Sequence, residues 1–248
     1  MSATTMPRTT VQPTARPMTA TPMFYARLAG VLYIVITIAA IVAHIYMPST
    51  LIVPDDTAAT VANITASQDL FLMGGIGAEL IVLLSEVVLS IILYVLFKPV
   101  NRTLSLLAAV SRLIMTTVHG INLLNYVFIL YIINATGFDV EQSNAMVSMF
   151  LDAHSYGFTI GIAFLVLHVF ALGVLIYQSG YFPRVLGVLF LIAGFGYLFD
   201  TVGLLFINGY TTTPDVIAMA ITVAEIAFPL WLLVKGVNRV RYQERAID

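Results

Sequence analysis

Apolar positions along the chain gather into six long runs, separated by short stretches where polar residues, Gly and Pro concentrate. The runs are Phe24–Met47, Leu70–Phe97, Thr103–Ile133, Phe150–Gln178, Arg184–Ile207 and Asp215–Val234. Each reaches the ~20 residues that a helix needs to cross a bilayer at about 1.5 Å per residue. The breaks Lys98–Arg102 and Ser179–Pro183 predict tight turns, whereas Pro48–Asp69, Asn134–Met149 and Asn208–Pro214 predict longer polar connections. The pattern therefore predicts an all-α polytopic membrane protein. Residues 24–238 form one six-transmembrane-helix bundle. Residues 1–23 are rich in Thr, Pro, Ala and Met without an apolar run, which predicts a disordered cytoplasmic tail. Residues 239–248 read as a basic cytoplasmic tail.

Charge orients this bundle. Arg8, Arg16, Arg27, Lys98, Arg102, Arg184, Lys235, Arg239, Arg241 and Arg245 all fall on one side of a six-span arrangement. Asp55, Asp56, Asp69, Asp139, Glu141 and Asp215 fall on the other, with no Lys or Arg among them. An excess of Lys and Arg marks the cytoplasmic face, so both termini are expected there. Arg112 is the basic residue left over, inside the third run. Composition agrees: the chain is 60% hydrophobic and 10% charged, against about 45–50% and about 25% for soluble domains. The net charge of -2 implies no nucleic-acid partner, and the absence of cysteine excludes disulfides, thiolate metal sites and thiol catalysis.

The polar residues inside the runs follow helical faces. Glu79 and Glu86 stand seven apart on the second run, extended by Gly75 and Ser90. Ser105, Arg112, Thr116, His119 and Asn122 share a face of the third. His154, Gly157, Gly161 and His168 share one on the fourth, Gly196, Asp200 and Gly203 one on the fifth, and Ala218, Thr222, Glu225 and Pro229 one on the sixth. Small residues four apart admit a neighbouring helix, so the histidine face of the fourth run should point inward. Asp152 lies on another face and reads as a first-turn acid at the outer end. Counted from the cytoplasmic ends, Glu86, Arg112, His168 and Glu225 come out roughly 14–17 Å deep, near the midplane. Glu79, His119, Asp200 and His44 come out roughly 24–27 Å deep, as an outer layer. Glu86 and Arg112, at matching depth on consecutive antiparallel helices, are expected to form an ion pair.

Intramembrane ionisable groups are functional-site candidates. The leading reading is a binding or transport protein that takes a small solute, an ion or protons at the midplane layer of Glu86, Arg112, His168 and Glu225. In that reading His168 is the functional histidine, balanced by a nearby carboxylate, and His154 is dispensable. Six spans is small for a carrier, which leaves a homo-oligomer open. A metal-dependent intramembrane enzyme acting on lipid would use His119, His168, Asp200, Glu79 and Glu86, ligand types suited to zinc or iron, but no HExxH motif is present. A b-type cytochrome would use His154 and His168, yet neither His44 nor His119 offers a second axial ligand at matching depth. A non-catalytic accessory or sensor protein would need the polar groups only to set helix register. No cofactor is named by these residues, and the bilayer is the one certain partner.

Two further patterns organise the chain. "FKPVNRTLSLLAAV" resembles "GYFPRVLGVLFLIAG" when Arg102 is set against Arg184, which places Glu86 opposite His168 in a parallel repeat of two hairpins. The stretches "ARLAGVLYI", "LIVPDDTAATVANI", "LYVLFKPVNRTLSLLAAVSRL", "INLLN", "FLDAHSYGF", "GVLIYQSGYFPRVLGVLFLIAGFGYLFD" and "LWLLVKGVN" together span Arg27 to Asn238. In them the chain resembles a bacterial family known as domain of unknown function 4386. That resemblance implies a six-span protein of the bacterial inner membrane, and it assigns no catalytic or binding residue.

Overall fold

A computed structural model of the chain describes residues 21–247. The expected tail of residues 1–23 lies almost wholly outside the described residues. Six helices are long and apolar enough to cross a membrane: Pro22–Leu51, Gln68–Phe97, Arg102–Asn134, Val140–Ser179, Arg184–Phe206 and Asp215–Val234. They are called the first to sixth spans. No strand occurs among the described residues.

Local chemistry sets the ends of these helices. Asn101 starts the third span by accepting a hydrogen bond from the Leu104 amide at 2.9 Å. Gly180, at φ 72°, ends the fourth in the left-handed conformation that glycine adopts without a Cβ penalty. Asp139 and Gln142 form a capping box that opens the fourth span ten residues before the expected Phe150. The segment Val140–Met149 is polar enough to read as a connection, but it is helical and only Ala135–Asp139 links the spans. Asp152 consequently lies about three turns inside a helix, and the first-turn acid is Glu141. The connection Pro48–Asp69 contains another helix, Thr57–Ala66, capped by the Asp56 carboxylate.

Three spans depart from a uniform α-helix. The first and second carry π-helical turns at Val42–Tyr46 and Phe71–Gly77, which pack against each other, with Met47, just after the first turn, seated against Gly74 and Gly75. The third breaks at Leu123, where the Asn125 side-chain Nδ2 donates to the Asn122 backbone carbonyl at 3.0 Å. The sixth continues through Pro229. Proline has no N–H, so the backbone carbonyl of Glu225, four residues earlier, loses its helical donor.

Each span packs on the next, and the sixth packs on the first, giving a closed antiparallel ring in chain order. One core, at the end carrying Arg27, Lys98, Arg102, Arg184 and Lys235, draws on all six spans; it includes Ala29, Leu96, Leu172, Phe190 and Phe228. A second core, towards the acidic end, draws on the first four spans and the outer helix through Met47, Ile64, Phe71, Ile129 and Val147. The fourth span, at 40 residues, is about 60 Å long, twice the ~30 Å hydrocarbon thickness. The first four spans therefore build a head beyond the ends of the fifth and sixth. The basic tail forms a helix, Arg239–Ile247, docked by Tyr242, whose hydroxyl bonds the Val95 carbonyl at 3.3 Å.

Candidate functional site

The faces read from the sequence on the second, third and fourth spans turn inward, whereas Thr222 and Glu225 on the sixth remain exposed. Glu79, Glu86, Ser90, Ser105, Arg112, Thr116, His119, Asn122 and His168 are all buried. In the layer expected near the midplane, Glu86 and Arg112 form a bidentate ion pair: Arg112 Nε donates to Glu86 Oε2, and Arg112 Nη2 donates to Oε1 at 2.8 Å. The remaining guanidinium nitrogen, Nη1, lies 2.8 Å from His168 Nε2. His168 Nδ1 lies 2.8 Å from the Ala108 carbonyl, which can only accept. Nδ1 therefore carries the proton, Nε2 accepts from Arg112, and the imidazole is neutral with both nitrogens committed. The carboxylate expected beside His168 is replaced by a guanidinium.

Two tyrosines complete this layer, and neither was singled out by the sequence pattern. Tyr33, on the first span, lies under Arg112, whose Cζ is 5.3 Å from the ring centroid. Tyr33 is 9% exposed and its hydroxyl has no hydrogen-bond partner. Tyr197, on the fifth span, donates a hydrogen bond to Glu225 Oε1 on the sixth. Glu225 is within charge–charge reach of Arg112 and Glu86, yet it remains exposed. The layer thus takes one residue from every span: Tyr33, Glu86, Arg112, His168, Tyr197 and Glu225. With both glutamates ionised, the layer holds two carboxylates and one guanidinium, leaving one negative charge.

The outer layer is assembled differently. His44 Nε2 is 3.0 Å from Glu79 Oε2, off the line of a hydrogen bond, so that buried oxygen has a close imidazole neighbour but no hydrogen bond. His119 Nε2 donates to the Phe158 carbonyl at 3.0 Å and stacks on the Phe158 ring at 4.5 Å. His44 touches the same ring at 4.8 Å. Asp200, expected in this layer, bonds the hydroxyl of Tyr210 at 2.7 Å instead. His154 is not left to water: Asn122 donates to its carbonyl at 2.9 Å, and its ring stacks on Tyr126 at 3.8 Å. The glycines of "GFTIG" make room for these groups. A Cβ on Gly157 would collide with Asn122, and one on Gly161 with the His119 ring. Among the described residues, no three His, Asp or Glu side chains are placed to share a metal ion.

A closed ring of six membrane-length helices with a polar axis defines an integral, multi-pass membrane protein. The chain belongs to the family described as "Domain of unknown function (DUF4386)", whose model matches residues 28–236. It is also similar to a protein of Archaeoglobus fulgidus described as "Uncharacterized protein", with 31% identity over 161 residues, covering 65% of this chain and 82% of that one. No solved structure matches.

Proposed function

We propose that the protein binds, and carries across the membrane, a proton or small cation at Glu225, with the midplane layer as its site. The observation that carries this reading is the contrast between the two midplane glutamates. Glu86 is fully engaged by Arg112. Glu225 has only the Tyr197 hydroxyl as a hydrogen-bond partner. A carboxylate near the centre of a bilayer is costly when ionised and unneutralised. Arg112 already balances Glu86, so Glu225 needs a proton or a cation. The acceptors for one are at hand: the carboxylate, the backbone carbonyl that Pro229 cannot serve, and the hydroxyl of Tyr197. In this reading Arg112 sets the local potential and His168 holds Arg112 in place. The acidic end faces outward and the basic end inward, in a bacterial cytoplasmic membrane.

Proteoliposomes loaded with a pH-sensitive dye test the proposal. Wild-type protein should dissipate an imposed proton or alkali-cation gradient, and Glu225→Gln should abolish that flux while leaving the detergent melting temperature nearly unchanged. Equal flux in wild type and Glu225→Gln would overturn it. Reporter fusions at Arg102 and Arg184 should be cytoplasmic and those at Asp56 and Asp139 external; the reverse pattern would overturn the orientation.

A further inference from the structure

At the basic end, the turn between the fourth and fifth spans and the tail helix enclose a cavity of about 500 Å³. Tyr177, Gln178, Arg184, Arg241, Glu244 and Arg245 line it. We propose that this cavity binds the phosphate of an anionic phospholipid headgroup. The inference is independent of the proton or cation site at the midplane.

Three guanidinium groups from two separate elements face one space of ligand size. Arg184 is held over the Tyr177 ring, its Cζ 5.5 Å from the centroid. Arg245 Nη2 donates to the Gln178 carbonyl at 3.2 Å, which fastens the tail helix to the end of the fourth span. Arg241 lies one turn from Arg245 on the same helical face. Among the described residues, the side chains of Arg184 and Arg241 have no hydrogen-bond or ion-pair partner, and Glu244 is paired with none of the three. Glu244 offsets one positive charge and leaves a net charge of two. Planar guanidinium forks match phosphate oxygens two at a time, and the excess of positive charge favours an anion.

Position selects the lipid over a free phosphate. The cavity sits where the fourth span ends and the fifth begins, at the level where hydrocarbon gives way to headgroups. The tail helix turns Tyr242 onto the bundle and leaves Val240 and Ile247 exposed, at 65% and 86%. Apolar residues beside arginines on a short docked helix are what an interfacial helix presents to a membrane surface. Basic pockets of this kind at the ends of spans hold anionic headgroups.

Native mass spectrometry of the full chain, purified with equal amounts of phosphatidylglycerol and phosphatidylcholine, tests the assignment. The wild type should retain phosphatidylglycerol preferentially, and the double variant Arg184→Gln/Arg241→Gln should lose roughly tenfold or more of that preference. Arg27→Gln, which removes a charge from the same end but outside the cavity, should keep it. Glu244→Gln should strengthen it, a gain that misfolding does not produce. Equal retention of the two lipids, an equal loss in Arg27→Gln, or displacement of the lipid by excess inorganic phosphate would each overturn the proposal, the last by assigning the cavity to a free anion.

Discussion

In the midplane layer Arg112 spends all three guanidinium nitrogens, two on Glu86 and one on His168. In the outer layer there is no Lys or Arg; Glu79 faces His44, and His119 leans on a carbonyl and a ring. Both layers place histidine and glutamate among the spans, but they hold them by different means. A permanent cation organises its neighbours: Glu86 meets it with both oxygens, and His168 spends its free lone pair on it. Histidine facing glutamate has no such arbiter. The first layer is therefore built around its arginine, and the second around separate contacts of His44 and His119 with a carboxylate, a carbonyl and a ring.

The largest test of that contrast removes the arbiter. Arg112→Ala strands Glu86 and frees His168 Nε2, and should cost about 3–5 kcal/mol, the usual cost of breaking a buried pair. Glu86→Gln with Arg112→Gln together should cost less in detergent melting experiments. A double-variant loss equal to the sum of the singles would mean the pair does not interact. Next comes His168→Ala, which leaves Arg112 Nη1 without its acceptor, while the Ala108 carbonyl keeps its helical donor, and should cost about 1–3 kcal/mol for the one group left buried and unpaired. It should also lower flux, whereas His154→Ala should leave flux nearly intact; matching losses would erase the distinction between the layers.

Smaller effects probe the packing around the outer layer. Gly161→Ala drives a methyl into the His119 ring and should cost about 1–3 kcal/mol by overpacking. Gly137→Ala, with nothing near its Cβ, should stay within about 0.5 kcal/mol of wild type. The smallest effect expected is Tyr33→Phe. Its hydroxyl is buried without a partner, so removing it should leave stability unchanged or raise it by about 1 kcal/mol. A clear loss of melting temperature instead would reveal a bound water or ion at that hydroxyl.

The six spans were legible because each is a long apolar run, and Glu86, Arg112 and His168 were legible because charge in such a run stands out. The same rule hid other parts. Tyr33 and Tyr197 sit in apolar helices where tyrosine counts as ordinary packing, and only the ring closure brings the first and fifth spans onto the axis. The start of the fourth span was written as Asp139-Val-Glu-Gln142, a capping box, but a search for apolar length passes over the polar turns that precede the apolar run. Asp200 matched the outer layer in depth and face, yet depth counting says nothing about azimuth around the ring, and Tyr210 claims it. The carbonyl of Phe158 could not be read from side-chain pattern at all.

The ring also has a topological consequence. Because each helix touches mainly its two neighbours in chain order, and Gly236 lies against Met23, the seam between sixth and first spans differs from the other five only in lacking a peptide link. A gene rearranged to begin at Pro183, with a short linker joining Gly236 to Met23, should yield the same bundle. During synthesis the ring stays open until its last member arrives, so the midplane residues of the first five spans wait for Glu225 to complete their layer.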